Sequence, residues 1–139
     1  MTEISGFEHV NVTVRDVRAS AAWYSELLGL QQIWDEDSEE HGWVKVGLYH
    51  AASQMRLNLT QHRSGSGEPF SELRTGLDHL AFRVPGGRPA LEAWQARLAE
   101  RGVEHSPIKR SAFGDKHIGD VITLRDPDNV QLELYAPTD

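Results

Sequence analysis

The chain has 139 residues, 39% hydrophobic and 25% charged, with a formal net charge of −7, and a chain of this size buries enough surface to fold without covalent help. It contains no cysteine, which removes disulfide frameworks, thiolate zinc sites, iron–sulfur clusters and cysteine nucleophiles together and leaves any metal to nitrogen and oxygen donors. The one dense charge run is acidic and no stretch is long and apolar enough for a membrane span, so neither nucleic acid nor membrane is an expected partner. The N-terminal stretch lacks a targeting pattern, and a cytoplasmic protein is expected.

Residues Phe7-Glu-His-Val-Asn-Val-Thr-Val14 alternate large apolar side chains at Val10, Val12 and Val14 with polar ones, the period-two pattern of a half-buried strand, and put His9 on the opposite face. A helix is predicted over residues 15–28, with Trp23, Leu27 and Leu28 at helical spacing and Gly29 as its stop. Strands follow around residues 31–34, 43–48 and 55–60. The acidic run at residues 35–40 reads as a solvated loop, because consecutive carboxylates repel and fit no metal-loop spacing. Residues 62–75, containing Gly, Ser and Pro, read as a linker.

The pattern then starts again. Leu77-Asp-His-Leu-Ala-Phe-Arg-Val84 repeats the first strand, with His79 in the place of His9. A helix is predicted over residues 89–101, with Leu91, Trp94 and Leu98 on its apolar stripe and Gly102 as its stop, followed by strands around residues 104–108, 121–125 and 130–135. Trp23 and Trp94 read as core aromatics. The Asp126-Pro-Asp-Asn129 turn joins the last two strands. The fold class is therefore α+β: two tandem βαβββ modules, about residues 1–65 and 75–139, expected to form a curved eight-stranded mixed sheet cup with the helices outside.

Aligning the final strands, Met55-Arg-Leu-Asn-Leu-Thr60 against Val130-Gln-Leu-Glu-Leu-Tyr135, makes Asn58 the counterpart of Glu133. His9 and His79 each precede an apolar strand residue, Val10 and Leu80, and Glu133 lies between Leu132 and Leu134, so all three can face the hollow of the sheet while those neighbours pack under the helices. Two imidazoles and one carboxylate leave coordination positions open, which suits Fe(II), Mn(II), or a catalytic Zn, Ni or Co ion. The same groups equally suit a metal-free pocket that holds a ligand by hydrogen bonds. His62 shares parity with Asn58 and Thr60 and is either a proton shuttle or a solvated loop histidine, while His117, one strand and a turn before Glu133, divides evenly between a functional and a bland role. Tyr135 shares a face with Glu133 and either orients a ligand or packs. Arg83 shares a face with His79 and either contacts an anion or forms a salt bridge. Phe113 and Trp43 are candidate pocket walls, and His41, His50 and His105 read as surface residues.

These motifs, together with Trp23-Tyr-Ser-Glu-Leu-Leu-Gly-Leu30 and Asp126-Pro-Asp-Asn-Val-Gln-Leu-Glu-Leu-Tyr135, resemble the vicinal oxygen chelate superfamily over nearly the whole chain. That superfamily includes glyoxalase I, extradiol ring-cleaving dioxygenases, fosfomycin-modifying enzymes and bleomycin-binding resistance proteins. The resemblance implies a divalent ion on His9, His79 and Glu133 that chelates two neighbouring oxygens of a small-molecule substrate, with Fe(II) the first choice over Mn, Zn, Ni or Co. Asn58 stands where glutathione-dependent glyoxalases usually add a carboxylate ligand. The resemblance therefore implies dioxygenase-like oxidation or ring cleavage of a phenolic compound ahead of a glyoxalase-like isomerase or lyase, with metal-free, bleomycin-type drug binding as the rival from another class. Ring-cleaving relatives often have an acid/base histidine in the region of His62. Relatives complete the cup within one chain or by exchanging modules between two, and a homodimer is expected.

Overall fold

Val10, Val12 and their repeat partners Leu80 and Phe82 do alternate as strand residues, and each short strand is the edge of a four-stranded mixed sheet. The structure is a computed structural model describing residues 2–138. Its elements run β1 (Val10–Thr13), α1 (Val17–Leu28), β2 (Gln31–Ser38), β3 (Trp43–His50), β4 (Met55–His62), β5 (Leu80–Arg83), α2 (Gly87–Glu100), β6 (Lys109–Phe113), β7 (Lys116–Arg125) and β8 (Gln131–Pro137). Two βαβββ modules are thus present, and the chain divides into two compact units between Glu68 and Pro69. The eight strands are distributed over two sheets, each hydrogen-bonded within its own unit.

In the first unit the order is β1-β4-β3-β2, with β1 parallel to β4 and the other pairs antiparallel. One face buries Val12, Val46, Leu48, Leu57 and Leu59 against Val17, Ala21, Tyr24 and Leu27 of α1. Each such aliphatic side chain contributes about 1.5–3 kcal/mol by leaving water. Asp16 caps α1, its Oδ1 accepting from the amides of Arg18 and Ala19 at 3.1 and 3.0 Å, and Gly29 ends it in the left-handed conformation. Tyr24, not Trp23, is the fully buried aromatic of this helix; Trp23 is half-buried with its ring edge-on to Tyr24. Trp94 is likewise half-buried, under the Arg97 guanidinium.

The second unit repeats the plan as β5-β8-β7-β6, with Ile122, Leu124, Leu132 and Leu134 buried on the side of Leu91 and Leu98 of α2. Among the described residues, no helix is long and apolar enough to cross a membrane.

Several local expectations are corrected. The acidic run is not all loop: Asp35 to Ser38 extend β2, where Asp35 and Asp37 find Arg18 and Arg63 as counter-ions. The strand expected near residues 104–108 forms at Lys109–Phe113 instead, because Pro107 cannot donate to a ladder, and only His105 bridges to Leu124. The expected linker is shorter: His62 ends β4, and from Phe70 the chain is tied to the second unit. The Phe70 amide donates to Asp128 O at 2.8 Å, Asn129 Nδ2 donates to Phe70 O at 3.0 Å, and Glu72 takes both terminal nitrogens of Arg125.

Candidate functional site

His9 and His79 stand one residue ahead of β1 and β5, so the alternation of each strand carries them onto the face away from the helix. In the second unit the pairing Ala81↔Glu133 and Arg83↔Tyr135 puts all four residues on that helix-free face. His79 Nε2 lies 3.6 Å from Glu133 Oε2, with Glu133 half-buried and His79 exposed. On the other side of the ring, His79 Nδ1 is 2.6 Å from Asp78 Oδ1. A carboxylate can only accept, so Nδ1 carries the proton and Nε2 is directed at Glu133. The first unit repeats the device: His9 Nδ1 is bonded to Glu8, which is itself 3.5 Å from Arg56 Nε.

His79 and Glu133 are spaced as two ligands of one divalent ion would be. Two donors bonded at about 2.0–2.2 Å to one tetrahedral ion stand roughly 3.4 Å apart, close to the separation seen here, and a carboxylate on the far ring nitrogen is how metal-bound histidines are commonly oriented. Among the described residues, no set of three or more His, Cys, Asp or Glu side chains is gathered to hold a metal; the pair His79 and Glu133 is what the second unit supplies, and His9 belongs to the first.

Tyr135 is aimed by a missing side chain. Its ring covers Gly119, where a Cβ would come within 2.7 Å of Tyr135 Cε1 and Cζ, and its hydroxyl donates to Ser111 Oγ at 3.2 Å. Ser111 is a neighbour that no sequence pattern signalled. Arg83 has no ion-pair partner among the described residues and lines a cavity of about 500 Å³ with Arg88, Asp120, Pro137 and Thr138.

His117 is placed elsewhere. A β-bulge opposite Ser111 and Ala112 adds one residue to β7 and turns His117 to the helix side, where its Nε2 lies 3.2 Å from Asp120 Oδ1. Asp120 is only 6% exposed and has Arg88 Nη1 at 3.6 Å as a second counter-ion. This cluster ties β7 to the start of α2, on the opposite side of the sheet from Glu133. Phe113 is exposed at the β6–β7 hairpin.

In the first unit, Asn11, Thr13, Asn58, Thr60 and His62 share the helix-free face, in register across β1, β4 and β3. Thr60 Oγ1 donates to Asn11 Oδ1 at 2.8 Å. The Asn58 amide is half-buried and has no hydrogen-bond partner among the described residues. His62 pairs with Trp43, whose ring stacks on His41 and lies 4.0 Å beneath Lys45 Nζ.

The sequence model of the Glyoxalase/Bleomycin resistance protein/Dioxygenase superfamily matches residues 6–134. The chain belongs to that superfamily. It is 29% identical to the uncharacterised protein YwkD of Bacillus subtilis (strain 168) over 95% of this chain and 97% of that one. It is also 27% identical to a catechol-2,3-dioxygenase of the same organism, covering 98% of this chain but only 44% of the dioxygenase. Among solved structures, a glyoxylase/bleomycin resistance protein/dioxygenase domain from Frankia sp. EAN1pec superposes with a TM-score of 0.85 at 28% identity, covering 99% and 95% of the two chains. The fosfomycin resistance protein FosX from Listeria monocytogenes, in its complex with Mn(II) and sulfate, shares the fold with a TM-score of 0.70 at 20% identity, over 98% and 95%.

Proposed function

We propose that this superfamily member is a metal-dependent enzyme that acts on a small oxygen-chelating metabolite, with dioxygenase-like oxidation or ring cleavage of a phenolic compound as its reaction and Fe(II) as its ion. The observation that carries this reading is the His79–Glu133 pair with Asp78 fixing the imidazole. His9 is the third ligand, from its equivalence to His79 under the repeat and its own carboxylate on Nδ1. The catechol-2,3-dioxygenase relative supports the reaction class, and the Mn(II) complex of FosX supports a divalent ion on this fold.

When bound, such an ion supplies positive charge to two adjacent substrate oxygens and, as Fe(II), redox capacity. The chain's own residues do the rest. Asp78 and Glu8 hold the ligating rings in one tautomer. The Asn58 amide, with no other partner among the described residues, donates to a substrate oxygen or accepts from a substrate hydroxyl, and the Tyr135 oxygen, its proton given to Ser111, accepts from a substrate hydroxyl. His62, exposed at the end of β4, exchanges protons with solvent. Asn58 in place of a carboxylate leaves a glyoxalase-like proton transfer without its base at that position, which ranks the isomerase reading second.

Metal analysis of anaerobically purified protein, followed by oxygen uptake with catechols and naphthols, tests the reading. One ion per site and uptake with a member of the panel are expected, and both His79→Ala and Glu133→Gln lose the ion while keeping the fold. Full metal content in His79→Ala would overturn it; stoichiometric metal without uptake moves the reaction to the isomerase or lyase class.

A homodimer goes with this proposal. Ile4 and Phe7 in the first unit and Leu73 and Phe113 in the second are large apolar side chains left exposed, and association with a second copy would cover some of them.

A further inference from the structure

β2 should not, by simple alternation, show Trp34 to the ligand face. Gln31 pairs with Tyr49 and Gln32 with Leu48, so the next helix-free position belongs to Ile33. A bulge at Ile33 moves that position to Trp34, which pairs with Gly47 instead. Gly47 lies mid-strand and has no positive φ, so no backbone conformation calls for glycine there. Space does: a Cβ on Gly47 would lie 2.2 Å from Trp34 Cε2 and Nε1. The five-membered ring of the indole therefore rests directly on the Gly47 backbone.

Gly47 is also the register partner of Asn58. Trp34 and Asn58 flank the glycine from the two neighbouring strands, each about 4.8 Å away in the ladder direction. Trp34 makes no ring or cation contact with another described residue, and its indole N–H, like the Asn58 amide, has no hydrogen-bond partner among them. It remains 38% exposed. Two separate devices, a bulge and a glycine, thus hold a large aromatic surface beside an unpartnered amide.

We propose that Trp34, seated on Gly47 beside Asn58, is the stacking surface that selects a planar aromatic ligand, whose oxygen substituents meet the Asn58 amide. The inference rests on the reading of this face as the substrate face and adds to it the residue that selects an aromatic ring. Stacking favours flat π-systems over acyclic chelators of the same ion, so Trp34 determines specificity and leaves metal capture to other residues.

The test uses the full chain, both metal-free and loaded with Mn(II), titrated calorimetrically with 4-nitrocatechol, with 2-naphthol, and with oxalate as an acyclic control. Trp34→Leu is expected to weaken both aromatic probes by about tenfold, with metal stoichiometry and oxalate affinity unchanged. Trp34→Phe keeps aromatic affinity within about threefold but removes the tryptophan quenching that 2-naphthol produces, a signature a purely structural Trp34 would not give. Gly47→Ala, which displaces the indole without removing it, weakens the aromatic probes like Trp34→Leu. Should Trp34→Leu bind both aromatics as the wild type does, or Trp34→Phe retain full quenching, or the wild type bind neither probe, the stacking role is overturned. Loss of metal from the wild type with aromatic binding intact would instead sink the metal reading and leave the stacking surface standing.

Discussion

Glu72 and Arg125 form a two-pronged pair, with Arg125 Nη2 to Oε1 at 2.7 Å and Nη1 to Oε2 at 3.1 Å. The hydrogen bond from Arg125, then one from the backbone, hold the Glu72 carboxyl at about 2, down from its ordinary 4.5, and the same pair raises Arg125. Because the folded value is depressed, the pair contributes stability above the unfolded carboxylate value, and that contribution fades as pH falls through about 2. Thermal melts should show Glu72→Gln less stable than wild type at neutral pH, with the gap closing between pH 4.5 and 2. Asp78 acts on another property. Asp78→Asn should leave the melting temperature nearly unchanged while weakening metal binding by about 10–100-fold, measured by competition with a chromogenic chelator, because the His79 ring loses the carboxylate that orients it. An unchanged metal affinity would show that His79 needs no such support.

At the scale of elements, glycine in mid-strand is a placing device. Gly119 leaves room for the Tyr135 ring, and a Cβ there would also meet Ala136 O at 2.7 Å. Gly119→Ala should therefore cost about 1–3 kcal/mol in denaturant melts and free the Tyr135 hydroxyl from Ser111. Wild-type stability in that variant would mean that the strand yields more easily than its packing suggests. The same strands show what a sequence reading can reach. The duplicated segments around His9 and His79, both helices and the shared face of Glu133 and Tyr135 were legible, because apolar periodicity and end signals repeat in both halves. Neither the face of Trp34 nor that of His117 could be read from the sequence, for one physical reason. Each lies just beyond a bulge, and one added residue inverts alternation without changing composition or hydrophobic pattern. Trp23 reads as the core aromatic of α1, yet Tyr24 lies at the centre of the buried stripe formed by Val17, Ser20, Ala21 and Leu27, and Trp23 stands edge-on beside it. Pairings that span distant sequence, such as Tyr135 with Ser111, leave no local trace.

At the scale of the whole molecule, the proposed homodimer is open to direct measurement. Sedimentation should give twice the 15.6 kDa chain mass, and the double variant Ile4→Glu, Phe7→Glu, which puts charge on two fully exposed apolar positions, should shift the mass toward a single chain. A wild-type protein that sediments at 15.6 kDa at all concentrations would remove the dimer from the proposal.

The two bulges stand at different places in the two halves, one after the first helix at Ile33 and one beside Gly119 in the third strand of the second half. Descendants of one duplicated unit can therefore be retooled separately by gain or loss of a single codon. Such an indel swaps which side chains stand on the helix-free face while the leucines and valines beneath the helix can keep their seats, so one half can be altered without renegotiating the hydrophobic interior of either.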